Sequence, residues 1–314
     1  MLLGYPSGRP GVGGGTRIGR GAKIRAGSII YAAVDIGDDF ETGHHAIVRE
    51  ENRIGSHCTL WNNSTIDYGC VIGDRVKIHC NVYVAQFTTI EDDVFLAPGV
   101  TIANDPHPIC TKCMQGPTIR RGARVRSGSV IYAAVEIGDD FETGHHAIVR
   151  EENRIGSHCT LWNNSTIYYG CVIGDRVRIH CNVYIAQFTT LEDDVFLAPG
   201  VTIANDPHPI CTKCMQGPTI RQGARIGVNV TLLPLITIGE HALVGAGSVV
   251  TGDVPAGMLV AGNPARVVGP VDSLECPFGI VIPYEHGVDV RHRPEWTTVA
   301  PLSRPVTGPS KPSR

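Results

Sequence analysis

Aromatic residues make up only 6% of this 314-residue chain, charged residues 18%, and the formal net charge is −3. A balance so close to neutral leaves no electrostatic footprint for nucleic acid. No apolar run approaches the ~18 residues of a membrane span. The opening MLLGYPSGRPGVGGG also lacks the apolar stretch of about seven or more residues that a secretory signal needs. These absences predict a soluble, cytoplasmic protein with neither membrane nor nucleic acid as partner. Glycine, by contrast, is plentiful at 37, which suits a turn-dense β protein better than a helical one. Of the 11 cysteines, ten fall into two copies of one five-cysteine set, so they are read position by position rather than as a disulfide framework.

The ordering signal is a period of six. From Ile18 an aliphatic residue recurs at every sixth position through Ile24, Ile30 and Ile36, then from Val48 and Ile54 to Ile102, with Thr42 the one break. Four residues after each aliphatic stands a small or β-branched residue (Ala22, Ser28, Val34, Ala46, Cys58, Ser64, Cys70), with Phe40 and Asn52 as exceptions. Neither a helix face nor a long alternating strand has this period. A solenoid does, each hexapeptide being one short strand and a turn stacked on the strand below. Glycine often follows the aliphatic (Gly19, Gly37, Gly55, Gly73), where tight corners are expected.

This pattern resembles the hexapeptide-repeat acyltransferases, close to the sugar-nucleotide N-acetyltransferases. The resemblance implies a left-handed parallel β-helix with three hexapeptides per coil, and about twelve coils here. The fold expected is therefore all-β, with two protruding loops and an irregular C-terminal tail.

The chain also repeats itself at an offset of 101 residues. Ala22–Arg120 matches Ala123–Arg221 except for nine swaps, among them Asp67/Tyr168, Val84/Ile185 and Ile90/Leu191. A tandem duplication explains copies that differ by such conservative changes, and a solenoid absorbs one because each coil touches only its neighbours. An assembly error joining two related alleles is the competing account. The expected organisation is a flexible leader at 1–15, a first copy at 16–120 with a loop at 103–118, and a second copy at 121–221 with a loop at 204–219. Final coils follow at 222–254, then a cap and packed extension at 255–290 and a disordered tail at 291–314.

Candidate chemistry lies in the loops. Each reads NDPHPICTKC. Two prolines stiffen the segment around the histidine, and acyl transfer from a thioester needs a base, for which a histidine of pKa near ~6.5 is the usual candidate. In the resembling family a His-Pro loop supplies that base, and members acting on amino-sugar nucleotides carry Asn-Asp, the Asn contacting the reacting amine. The resemblance thus marks Asn205, Asp206 and His208 as catalytic candidates, with Asn104, Asp105 and His107 as first-copy equivalents. The competing reading is an Asx-turn with a solvated histidine. After the second loop, GVNVTLLPLITIG, GAGSVV and GNPAR resemble the family's coenzyme A-binding half. That implies acetyl-CoA as co-substrate, with Gly227, Asn229, Gly245, Ala246 and Gly247 along its pantetheine arm and Arg266 at a phosphate. The first loop lacks this continuation, so its site is expected to be weak or inactive. No metal is expected. Cys211 and Cys214 with His208 make at most three ligands of a zinc set, with no fourth evident. Cys58, Cys70, Cys159 and Cys171 occupy core positions.

These features together lead to the expectation of an N-acetyltransferase acting on a nucleotide-linked amino sugar, assembled as a homotrimer. Sugar O-acetylation is the alternative. A zinc hydratase of the γ-carbonic anhydrase type and a non-catalytic scaffold are the rivals from other classes.

Overall fold

The structure is a computed structural model that describes residues 1–104, 115–209, 211 and 213–274. Met1–Ser273 form one unit, and within it two-residue strands recur every sixth residue and stack into three parallel sheets. The first face begins at Arg17–Ile18 and ends at Thr237–Ile238; its 12 strands count the full turns. The second runs from Glu41–Thr42 to Leu243–Val244, preceded by a bridge at Lys23. The third runs from Ile29–Tyr31 to Val249–Val250. Part of a thirteenth turn follows, through Val254 and Val260. At about 4.8 Å per turn the stack rises roughly 60 Å. The architecture is the all-β parallel solenoid expected, and it is consistent with the left hand that the resemblance implies.

Register shows why the period works. Val71 pairs with Thr89 and Ile72 with Ile90, one turn of three hexapeptides apart. The second residue of each strand points inward, so Ile30, Leu60, Ile66, Ile78 and Ile102 are fully buried, each burial stabilising the stack by about 1.5–3 kcal/mol. The small-residue positions line the same interior. Phe40 and Phe141 fit there because Ala22 and Cys58, or Ala123 and Cys159, are their neighbours in the stack. Asn52 is tolerated because its amide is fully used: Nδ2 donates to the carbonyls of Arg49 and Asp67, and Oδ1 accepts from Cys70 N–H. Burial pushes the Cys58 thiol up to about 11 and those of Cys70, Cys159 and Cys171 up to about 12, so all four remain protonated core residues.

The corners correct one expectation. The glycine after the aliphatic is needed for space, not for a left-handed backbone. A Cβ on Gly55 would lie 2.6 Å from the Gly73 carbonyl oxygen, and one on Gly37 2.6 Å from Ser56 Oγ. The left-handed residue is the third after the aliphatic, as at Asp39, His45, His57 and Asn63, types enriched in that conformation. His45, His57, His146 and His158 are thereby corner residues of the scaffold.

Both loops leave the same corner, between the third and first faces, without breaking the ladders. Thr89 pairs with Thr118 across the first loop and Thr190 with Thr219 across the second. The first residues, expected as a flexible leader, instead form a strand, Leu2–Tyr5, parallel to Ile29–Tyr31. Ser7 Oγ then donates to Glu50 Oε1 at 2.9 Å, and Arg9 sits 3.8 Å over the Tyr68 ring. The leader thus pairs the lowest edge of the third face, which would otherwise be unpaired, and then runs up the loop corner.

At the far end the cap is a hairpin of Met258–Gly262 with Ala265–Pro270, followed by a 3-10 turn at Val271–Ser273. The rest of the expected extension and the tail at 291–314 lie outside the described residues. Among the described residues no helix is long and apolar enough to cross a membrane.

Candidate active site

The second loop is anchored at both ends. Ala204 N–H donates to the Leu232 carbonyl one turn above, and Gln216 N–H donates to the Asn205 carbonyl at 2.8 Å, closing the loop neck. Gln216 also reaches down, Nε2 donating to the Phe188 carbonyl at 2.9 Å. Asn205 is buried, and its Nδ2 donates to Gln187 Oε1 at 3.0 Å. Its amide therefore has a fixed orientation, set from the turn below.

Asp206 bonds to the backbone of its own loop. Oδ1 accepts from the His208 backbone N–H at 3.0 Å and Oδ2 from Cys211 N–H at 2.8 Å. Its carboxylate holds loop backbone, as an Asx-turn does, and both oxygens are engaged away from the imidazole. The His208 ring stands exposed at the loop surface, with Nε2 3.6 Å from Cys214 Sγ, while Cys211 and Cys214 are joined as a disulfide. The turn and the exposed histidine coexist: the first holds the second out to solvent.

In the first loop Asn104 is likewise buried, but its Nδ2 donates to the Gln86 main-chain carbonyl at 3.4 Å rather than to the side chain. Asp105, His107, Cys110 and Cys113 lie outside the described residues.

The candidate coenzyme A residues sit elsewhere. Gly227, Asn229, Gly245, Ala246 and Gly247 occupy the corner between the second and third faces, so the width of the third face separates them from the loop. One chain does not bring the two sets into contact. The N–H groups of Gly227, Asn229, Gly245 and Gly247 are all spent inside the solenoid, on the carbonyls of Val244, Pro199, Val260 and Val228. What the corner offers is close approach: a Cβ on Gly247 would meet nothing within 4 Å. Arg266 is exposed on the hairpin, its Nη1 donating to the Ala265 carbonyl at 2.9 Å.

Two groups on the loop corner carry weight that sequence reading did not give them. Gln187 and Gln216 orient the asparagine and the loop neck; their signal was an exact recurrence as Gln86 and Gln115. The buried Glu50 and Glu151 are each clasped by the preceding arginine, with Arg49 Nε to Glu50 at 2.9 Å and Arg150 Nε to Glu151 at 2.7 Å. Burial alone would raise the Glu50 carboxyl, but hydrogen bonds from Arg49, its own backbone and Ser7 hold it below the ordinary range.

Against known proteins, the model described as bacterial transferase hexapeptide (six repeats) matches residues 69–104, 154–187 and 170–205. The hexapeptide repeat of succinyl-transferase matches 51–86 and 219–252. The chain is a hexapeptide-repeat protein. Among relatives of this hexapeptide-repeat protein, galactoside O-acetyltransferase of Escherichia coli is 31% identical over 122 residues, covering 34% of this chain and 59% of that one. The bifunctional protein GlmU of Thermosynechococcus vestitus is 30% identical over 193 residues, covering 58% and 41%. The chain thus spans two to three fifths of the length of the curated relatives it matches. Similar solved structures include serine acetyltransferase from Brucella abortus, 30% identical with a TM-score of 0.28, covering 32% and 40% of the two chains. PerB from Caulobacter crescentus, in complex with CoA and GDP-perosamine, is 20% identical with a TM-score of 0.31, covering 47% and 57%.

Proposed function

We propose that this hexapeptide-repeat protein is an acetyl-CoA-dependent transferase that acetylates the amine of a nucleotide-linked amino sugar. The observation that carries the reading is the contrast within the second loop between a buried, oriented Asn205 amide and an exposed His208 imidazole, on a neck closed by Gln216. A rigid scaffold holding reactive groups on a loop is the usual arrangement for binding and catalysis.

In this reading the amine nitrogen attacks the thioester carbonyl, and His208 accepts the proton that the amine loses. Asn205 orients the amine, and Asp206 keeps the histidine backbone in place. The tetrahedral oxyanion is met by N–H donors, the C–S bond breaks, and His208 returns its proton to the departing CoA thiolate. Since one chain leaves loop and small-residue corner on opposite sides of the third face, the site forms between subunits of a homotrimer, the loop of one facing the corner of the next. There the pantetheine arm lies against Gly245–Gly247, with the Ala246 N–H as its donor and Arg266 at a phosphate. Acetyl-CoA and nucleotide sugars as substrates argue for a cytoplasmic site of action.

The test is acetyl-CoA turnover, read as CoA thiol release, against a panel of UDP- and dTDP-linked amino sugars, with simple galactosides as hydroxyl acceptors. Release that depends on a nucleotide amino sugar supports the reading. Release with hydroxyl acceptors alone replaces it with O-acetylation, the activity for which galactoside O-acetyltransferase is named. No release, and no acetyl-CoA binding by calorimetry, leaves a scaffold.

A further inference from the structure

The second loop brings together three ligand-bearing groups that acetyl transfer does not need as a set. His208 Nε2 and the sulfurs of Cys211 and Cys214 all lie within 4.8 Å of one another, the one such group of three or more among the described residues. We propose that this trio is a binding site for a soft divalent cation, zinc first among them, available once the Cys211–Cys214 disulfide is reduced.

The donor set is one imidazole nitrogen and two thiolates, the chemistry that zinc selects over harder cations. Zinc bonds of about 2.3 Å to sulfur and 2.0–2.1 Å to nitrogen, at tetrahedral angles, set the nitrogen roughly 3.6 Å from each sulfur, and the two sulfurs, joined here as a disulfide, part when it is reduced. The observed separation of His208 Nε2 from Cys214 Sγ is 3.6 Å. The backbone is arranged in advance: one carboxylate, Asp206, holds the N–H groups of both His208 and Cys211, and Gln216 closes the neck beneath them. His208 is exposed and the two cysteines half-buried, so a cation can enter from solvent and water can complete the fourth position.

The chemistry balances in two steps. A dithiol reductant gives two electrons and two protons to the disulfide, becoming a disulfide itself, and Cys211 and Cys214 become thiols. A divalent cation then displaces both thiol protons and takes the His208 Nε2 lone pair. Resting on the function proposed above, this occupancy takes up the one basic lone pair of the neutral His208 imidazole, so metal-bound and transfer-competent loops exclude each other.

The test uses the full chain carrying Cys110→Ser and Cys113→Ser, which removes the same motif from the first loop. After phosphine reduction and anaerobic desalting, cobalt(II) is titrated and then displaced by zinc. The expected result is one equivalent bound with a thiolate-to-cobalt charge-transfer band, absent from the oxidised chain and from a chain that also carries Cys211→Ser and Cys214→Ser. His208→Ala should weaken binding by at least about tenfold, since even outer-shell changes at metal sites cost that much. A reduced chain that binds no cobalt, or binding that survives loss of both cysteines, overturns the site. Binding is read without any activity assay, so failure here and failure of acetyl transfer are separate outcomes.

Discussion

The two loops share one sequence, yet they sit beneath different surroundings. Two turns above the first loop the corner between second and third faces is covered: the His146 ring stacks on Gly128, where an added Cβ would fall 2.4 Å from Nδ1, and His145 N–H is taken by Asn163 Oδ1 at 2.7 Å. Two turns above the second loop the same corner is Gly245–Ala246–Gly247. Gly262 stands above Ala246 and brings no side chain to cap its N–H, and Gly247 faces open space. On the function proposed above, a duplicated loop does not by itself make a duplicated site, because the neighbouring turns decide whether a co-substrate can lie against the backbone.

The sharpest way to break this comparison is to remove each histidine in turn. His208→Ala should lower turnover by roughly 10²–10⁴-fold, the range for loss of a general base, while His107→Ala should leave it within about twofold. Steady-state CoA release on each purified variant decides it, and equal losses would show both loops at work.

A second break grafts the first-copy corner onto the second. Gly247 has φ 69 and stands one turn above Asn229; histidine fills the same left-handed position above a side-chain-bearing residue at His57 over Asp39 and His158 over Asp140, so Gly247→His should fold. It should raise the KM for acetyl-CoA by about tenfold or more with kcat little changed, as expected when binding shared by ground and transition states is lost. An unchanged KM would remove this corner from the co-substrate path.

How much of this could be read from sequence follows from what the period encodes. The six-residue spacing reports side chains that point inward, so the stack and the core cysteines were legible from Ile, Val and Cys positions, while the twelve turns also needed the three hexapeptides per coil that the family resemblance implied. The buried polar residues were not. Asn52 and Glu50 look like errors in a hydrophobic ruler until Cys70 and Ser7, distant in sequence, supply their partners. The site was half legible for the same reason. NDPHP marked the loop, but that Asp206 serves the backbone and that Gln187 steers Asn205 depends on contacts within and across turns, which periodicity does not carry. The leader misled because its Gly and Pro content hid Leu2–Tyr5, a strand stabilised by the turn above it rather than by its own pattern.

Gln187 allows a smaller test of the same contrast. Gln187→Leu leaves the buried Asn205 amide without its Oε1 partner, a loss of about 1–1.5 kcal/mol, which is roughly tenfold if the amide orients substrate. Gln86→Leu should be silent, because Asn104 takes the main-chain carbonyl there. Comparing kcat of the two variants at matched thermal stability separates orientation from general loosening.

The smallest expected effect concerns the one swap between copies that changes chemistry on the loop corner. Asp67 accepts from Tyr83 OH at 2.8 Å and lies 3.5 Å from Arg49 Nη1. Its counterpart Tyr168 instead lies under Arg150, 4.6 Å from the guanidinium carbon to the ring centre, and 5.9 Å from the Tyr184 ring. Asp67→Tyr exchanges a hydrogen bond and a partly exposed ion pair for a cation–π contact and a tilted ring pair. Each side is worth on the order of 1 kcal/mol, so the variant should unfold within about 1 kcal/mol of the parent by urea titration. A loss beyond about 3 kcal/mol would mean that the first copy, with Arg9 on Tyr68 and Ser7 on Glu50, has built its corner around the leader. The two copies would then no longer be interchangeable units of one scaffold.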